Sequence, residues 1–110
     1  MPGATEPAFV EGYHYGRKIH DARAELRHTQ ARLQRARDGL LQTDAAVQGI
    51  ALELVQPEAT TQRRIFLGQE LVRLAEKHSE EQARINRLTL RSRELAVNVA
   101  ELERQSPCTL

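Results

Sequence analysis

Residues that could bind a metal or act as a nucleophile are few and scattered in this 110-residue chain. Its histidines are His14, His20, His28 and His78, and no third metal ligand lies beside the pair at 20 and 28. The single cysteine, Cys108, has no neighbouring histidine, and no glycine-rich phosphate loop is present. Catalysis needs a cluster of nucleophile, base and charge-stabilising groups, or a metal site. We therefore expect no enzyme activity, no metal and no cofactor.

A heptad repeat runs through the first half of the chain and predicts a long first helix. One apolar residue recurs at every seventh position: Ile19, Leu26, Leu33, Leu40, Val47 and Leu54. A helix with this repeat places a narrow apolar seam against a partner helix. Pro57 lacks a backbone donor and disfavours helical geometry at Gln56, so the first helix should end before it.

A second seam follows this break. Its paired positions are Leu71 with Leu74, His78 with Glu81, Ile85 with Leu88, Ser92 with Leu95, and Val99 with Leu102. Two apolar helical stretches separated by one break predict a mainly α fold, a long antiparallel coiled-coil hairpin over residues 8–105. We expect a disordered leader at residues 1–7, where proline and glycine are frequent, and a flexible tail at residues 106–110.

Two polar residues, His78 and Glu81, occupy seam positions where apolar residues are expected. Buried polar residues on a seam can set register or partner choice at a cost in stability. The simpler interpretation, which we favour, is that the helices splay or fray there and both side chains are hydrated.

The central segment at residues 56–74 is ambiguous in its periodicity. At period two, Ile65 and Leu67 share one face and Gly68 marks a bend, whereas at period 3.6 Ile65, Gly68 and Leu71 line one side of a helix. The threonines at its start and the β-branched residues favour short strands slightly.

Composition limits the classes of partner. The formal net charge is +1, which gives no reason to expect nucleic acid or membrane as a partner. The local excess of basic residues between Arg17 and Arg37 alternates with the seam leucines, so we place it on solvated flanks. No apolar run approaches the length of a membrane span, and no secretory signal is recognisable, so we expect a cytoplasmic protein, with the nucleus possible. With 4% aromatic residues, the chain is poorly supplied with bulky core residues, and other chains should contribute to its stability.

An aromatic cluster near the amino terminus could contact other proteins. Phe9, Val10, Tyr13 and Tyr15 stand together at one end of a thin hairpin, which cannot bury all of them between two helices. The alternative is a hydrophobic staple in which the tyrosines fold onto Val99 and Leu102.

The whole layout resembles the β-type subunits of the prefoldin family, over roughly residues 8 to 105. The motifs that carry the resemblance are Ala8-Phe9-Val10-Glu11, Lys18-Ile19-His20-Asp21, Leu33-Gln34-Arg35, Leu41-Gln42-Thr43-Asp44 and Ile65-Phe66-Leu67-Gly68-Gln69-Glu70-Leu71-Val72.

The resemblance implies a subunit of a hetero-hexameric co-chaperone that hydrolyses no nucleotide. Such subunits join one another through a short β-hairpin in the middle of the chain, hold unfolded proteins such as actin and tubulin chains at the coiled-coil tips, and pass them to the cytosolic chaperonin. Carried onto this chain, the residues for subunit assembly are Ile65, Phe66, Leu67, Gly68, Leu71 and Val72. The residues for binding unfolded proteins are Phe9, Val10, Tyr13, Tyr15, Val99 and Leu102.

Two other classes of function use the same heptads. A structural or tethering coiled-coil subunit of another assembly predicts unbroken helix from Gln62 onward, whereas the prefoldin resemblance predicts strands within residues 60–74. A basic coiled-coil protein that binds nucleic acid would need the arginines between residues 17 and 37 exposed along one face.

Overall fold

The computed structural model describes the backbone of residues 6–106 and the side chains of residues 14–106. Over this range the chain forms two α-helices, α1 at Glu6–Leu54 and α2 at Thr61–Gln105, joined by a turn at residues 55–60. The predicted mainly α fold is confirmed. Glu6 and Pro7 of the predicted leader belong to α1. Residues 1–5 of the leader and residues 107–110 of the tail lie outside the described range.

The predicted short β-hairpin is not found, since none of residues 6–106 is in a strand. Residues 61–74 belong to α2, and two local features explain why. The Thr60 hydroxyl accepts a hydrogen bond from the backbone N–H of Arg63 at 3.1 Å, which caps the helix start. Leu67, Leu71 and Leu74 then continue the second seam at helical spacing, so burial at period 3.6 outweighs the β propensity of the segment.

The chain divides into two compact units, each defined by the contacts within it. We call residues 33–87 the turn unit, and residues 1–32 with 88–110 the terminal unit. Each unit contains one stretch of α1 and one stretch of α2.

In the turn unit the two helical stretches run antiparallel. Glu53 pairs with Arg63 beside the turn at 2.7 Å, and Thr43 bonds to Glu81 farther from it. The first-seam leucine Leu33 is buried, as are the second-seam residues Leu67, Leu74 and Ile85. The other predicted seam positions of this unit are half-buried: Leu40, Val47, Leu54 and Leu71. The predicted seam residues of this unit are thus buried or half-buried, and Leu67 extends the second seam by one position.

The terminal unit also packs its helices along the predicted seams. Its buried residues are Ala22, Thr29, Leu88, Leu95 and Val99, and Ile19 and Leu26 are half-buried. Ion pairs join its helices at the surface, Arg91 to Glu25 at 2.7 Å and Arg23 to Glu103. Such exposed pairs contribute little to stability, so the seam holds this unit together.

The surface of α1 agrees with one further prediction. Every arginine and lysine between residues 17 and 37 is exposed, as expected for solvated flanks. Neither helix contains, over its described residues, a stretch long and apolar enough to cross a membrane.

Candidate assembly surface

A hydrogen bond joins the two helices inside the seam of the turn unit. The side chain of Thr43 is 2% exposed, and its hydroxyl donates to Glu81 Oε1 at 2.5 Å. The same hydroxyl oxygen lies 3.1 Å from the backbone carbonyl oxygen of Gly39, one helical turn earlier. A carboxylate placed on a seam costs stability unless a donor meets it, and Thr43 supplies that donor.

Gly39 makes room for this carboxylate. A Cβ atom at position 39 would lie 2.7 Å from Glu81 Oε2, closer than a real Cβ contact allows. An alanine at position 39 would therefore require the end of the Glu81 side chain to move from its place beside Thr43. The glycine is best understood through this packing, because its backbone does not have positive φ.

A second polar contact crosses the seam one turn away. His78 Nε2 lies 3.2 Å from Asp44 Oδ1, with both side chains about half exposed. Leu74 and Ile85 are buried on either side of the His78–Glu81 pair, so the helices do not splay there. The interpretation of splayed helices is therefore wrong. Both polar seam residues contact the opposite helix, an arrangement that favours one register of α1 against α2.

A pair of glycine substitutions tests the contact at Gly39. Gly49→Ala should raise the free energy of unfolding by about 0.5–1 kcal/mol, since alanine is the better helix former and nothing lies within 4 Å of its Cβ. Gly39→Ala gains the same propensity but displaces Glu81 from Thr43, so we expect it to be less stable than Gly49→Ala by about 1 kcal/mol. Urea unfolding followed by circular dichroism measures both, and equal stabilisation would contradict the contact.

One side of the seam near the turn carries no charge. Positions one and four residues after heptad positions 47 and 54 of the first seam, and after heptad positions 64 and 71 of the second, project to the same side of the coiled coil. Between the Asp44–His78 pair and the turn, these positions hold Gln48 and Ala51 of α1, Val55 at the start of the turn, and Ile65, Gly68, Val72 and Ala75 of α2. We call these seven residues the uncharged face.

The uncharged face is apolar and open to solvent. Val55, Ile65 and Val72 are 74%, 59% and 61% exposed. Beside them lies a cleft of about 470 Å³ lined by Val47, Leu71 and Ala75, with Asp44 and His78 among its lining residues. On α1 the run from Ala45 to Leu52 has no charged residue on any side. Six of its eight residues are apolar, and apolar helix surface is favourably buried against another element.

The other side of the same seam is charged. Glu53 pairs with Arg63 at 2.7 Å, and Glu70 pairs with Arg73, also at 2.7 Å. The hydrogen bond from Arg63 holds the pKa of the Glu53 carboxyl below its ordinary value, and Arg73 does the same to the pKa of Glu70. The Arg63 guanidinium also lies over the Phe66 ring, 5.2 Å from its centroid. Phe66 therefore belongs to this charged side, unlike Ile65 and Val72.

The six residues predicted for subunit assembly separate into two groups. Ile65, Phe66 and Val72 are exposed and can contact another protein, whereas Leu67 is fully buried and Leu71 and Gly68 are half-buried. Gly68 is helical without positive φ, so it is not the strand bend that the period-two pattern predicts.

The residues predicted to bind unfolded proteins are only partly described. The side chains of Phe9, Val10 and Tyr13 lie outside the described residues. Tyr15 is half-buried, with Lys18 Nζ 5.7 Å from its ring centroid. Leu102 is half-buried and Val99 is buried, as their places in the second seam predict, which leaves little of Val99 for a client to contact.

The uncharged run on α1 is the feature that the motif-based predictions missed. Its signal was present in the sequence as a stretch of helix without any charged residue, in a chain with 28% charged residues. Over the part of the chain that the structure describes, no group of histidine, cysteine, aspartate and glutamate residues could hold a metal ion.

This uncharged, solvent-exposed face is the candidate site for binding another protein. No protein-family model, curated protein or solved structure matches this chain.

Proposed function

We propose that this chain is a structural coiled-coil subunit that joins a larger protein assembly by packing its uncharged face against another helical protein. The observation that carries the proposal is an exposed apolar face without charge, in a chain with 28% charged residues. Contact with a partner would remove Val55, Ile65 and Val72 from water. This burial stabilises the complex by roughly 25 cal/mol for each Å² of apolar area removed from water.

The continuous helix through residues 61–74 supports this class of function. A tethering subunit needs unbroken α2 from Gln62 onward, whereas assembly through a central β-hairpin needs strands. A helix exposes no free backbone N–H or C=O groups along its side, so a partner docks on its side chains and helical packing is the natural mode.

A photo-cross-linking experiment tests the proposal in the cells that make the protein. A photo-reactive amino acid at Val72, in the full chain, should give cross-linked products of a few discrete masses. The matched control is the same amino acid at Val97, another valine of α2 that is 69% exposed but lies in the terminal unit. We expect no discrete product from Val97, and absence of any product from Val72 would overturn the proposal.

A second candidate is the prefoldin-like co-chaperone that binds unfolded proteins and transfers them to the chaperonin in the cytosol. What supports it is the exposure of Ile65, Phe66 and Val72, three of the residues predicted to join such subunits. Subunits of this kind would have to join through helix faces here, since residues 61–74 are helical.

The same cross-linking experiment, with the photo-reactive amino acid placed at one further residue, distinguishes the two candidate functions. A co-chaperone binds many different unfolded proteins. A photo-reactive amino acid at Tyr15 should therefore give a broad distribution of cross-linked masses, and this distribution should become more intense when unfolded protein accumulates. A structural subunit should give no such distribution at Tyr15 and discrete products at Val72.

A further inference from the structure

Three arginines at the end of the turn unit farthest from the turn have no partner for their charge. They are Arg35 of α1 and Arg84 and Arg87 of α2, and we call them the arginine group. All three are exposed, and none of them forms an ion pair within the part of the chain that the structure describes. The arginines nearer the turn differ, since Glu53 and Glu70 neutralise two of them.

The arginine group lies on the charged side of the seam. Positions two and six residues after a heptad position project to this side, opposite the uncharged face. Arg35 stands two residues after the seam residue Leu33. Arg84 and Arg87 stand six and two residues after heptad positions 78 and 85 of α2. Both helices of the turn unit therefore present arginine toward the same side.

The sequence around the group contains no acid. Residues 26–37 of α1 and residues 82–93 of α2 each hold four arginines and no aspartate or glutamate. The whole chain, by contrast, has 16 basic and 15 acidic residues, which are nearly balanced. Basic residues are therefore concentrated in these two stretches, and no carboxylate within them can neutralise the arginine group.

The positive charge of the group does not stabilise the turn unit. Arg84 and Arg87 stand three residues apart on one helix, a spacing at which like charges repel. The nearest carboxylates along the helices do not compensate for this. Asp38 accepts a hydrogen bond from Gln34 at 3.0 Å, and Glu80 makes no ion pair over the described residues. A carboxylate from outside the chain can therefore neutralise charges that the chain itself leaves unpaired.

We infer that the arginine group binds an acidic helical segment of another protein. A guanidinium group binds a carboxylate through two parallel hydrogen bonds. Glutamates three or four residues apart on a partner helix share one face, and their spacing matches that of Arg84 and Arg87. The group lies on the opposite side of the seam from the uncharged face, so this inference does not rest on the proposed function.

Nucleic acid fits the charged side less well than an acidic helix does. A phosphate backbone is bound by an extended basic surface, whereas this side of the turn unit also carries Glu53, Glu70 and Glu80. The isoelectric point of the chain is about 8.0, below the values typical of nucleic-acid-binding domains. A short acidic segment needs only the arginine group.

Fluorescence anisotropy of a labelled helical peptide of alanine and glutamate, titrated with the full chain, measures this binding. At a salt concentration of about 0.15 M, charges more than about 8 Å apart are largely screened, so the measurement reports local contacts. We expect saturable binding below about 1 mM, since exposed ion pairs are individually weak. Reversing two charges, with Arg84→Glu and Arg87→Glu together, should raise the dissociation constant at least about tenfold.

The matched control reverses two exposed arginines of the terminal unit. Arg17→Glu with Arg104→Glu gives the same net charge, and we expect it to change the dissociation constant by less than about twofold. Arg84→Lys with Arg87→Lys keeps the charge without the guanidinium fork, so its affinity should lie between those of the parent and the glutamate variant. Circular dichroism should give unchanged helicity for every variant, because glutamate and lysine are good helix formers.

No peptide binding up to about 1 mM would overturn the inference. Equal weakening by the two charge-reversal variants would also overturn it, since the attraction would then depend on net charge alone. A DNA oligonucleotide with the charge of the peptide is titrated in parallel. Tighter binding of this DNA, lost through Arg84→Glu and Arg87→Glu, would replace the acidic protein by nucleic acid. Cross-linking from Val72 tests the uncharged face alone, so the proposed function and this inference fail separately.

Discussion

Leu67→Ala is expected to lower the free energy of unfolding by about 2–5 kcal/mol, the largest effect that we predict for a single substitution. Leu67 is 2% exposed and extends the second seam beside the turn, so truncation leaves a cavity between α1 and α2. Urea unfolding followed by the circular dichroism of the helices, at one fixed protein concentration, measures the change.

Ile65→Ala is the matched control. Ile65 stands two residues before Leu67 and is 59% exposed, so its truncation should change stability by less than about 0.5 kcal/mol. In a strand, both residues would lie on one face and both substitutions would be costly. Equal losses from the two variants would therefore contradict the helical assignment of this segment.

Thr43→Val should lower the free energy of unfolding by about 1–2 kcal/mol, because it leaves the Glu81 carboxylate on the seam without its donor. Valine has nearly the shape of threonine, so the change isolates the 2.5 Å hydrogen bond. The same unfolding measurement applies.

A double-mutant cycle with Glu81→Leu assigns the loss to that hydrogen bond. In the Glu81→Leu background no carboxylate remains at position 81, so Thr43→Val should cost less than about 0.5 kcal/mol. Glu81→Leu alone should not destabilise the chain, since it replaces a charged seam residue by an apolar one. If Thr43→Val lowers the free energy of unfolding equally in both backgrounds, the hydroxyl stabilises the chain only through its contact with the Gly39 carbonyl.

The heptads alone predicted much of the helical packing. Residues such as Leu33, Leu74, Ile85, Leu88 and Leu95 are buried at the positions that the repeat assigned to them. The heptads predict these buried positions because the apolar stripe of a helix follows directly from the spacing of its residues. The break at Pro57 likewise predicted where α1 ends, since proline acts on its immediate neighbours.

The candidate site was predictable only in part. Ile65 and Val72 were assigned to assembly, and both are exposed beside the turn. The sequence grouped them with Leu67, which the structure buries instead. The difference arises because a strand and a helix place neighbouring residues on different faces. The contribution of Val55 and Ala51 depends on α1 and α2 lying side by side, which no local pattern contains.

The sequence by itself thus determined the helices, the seams and the break, because each depends on spacing along one helix or on a local backbone constraint. Only the tertiary structure decided that residues 61–74 are helical, since a seam position of a helix, such as that of the buried Leu67, is covered only when another element lies beside it. It also decided how the polar seam residues are satisfied. Glu81 meets Thr43 in the space left by Gly39, a contact between residues 38 positions apart that depends on the register of the two helices.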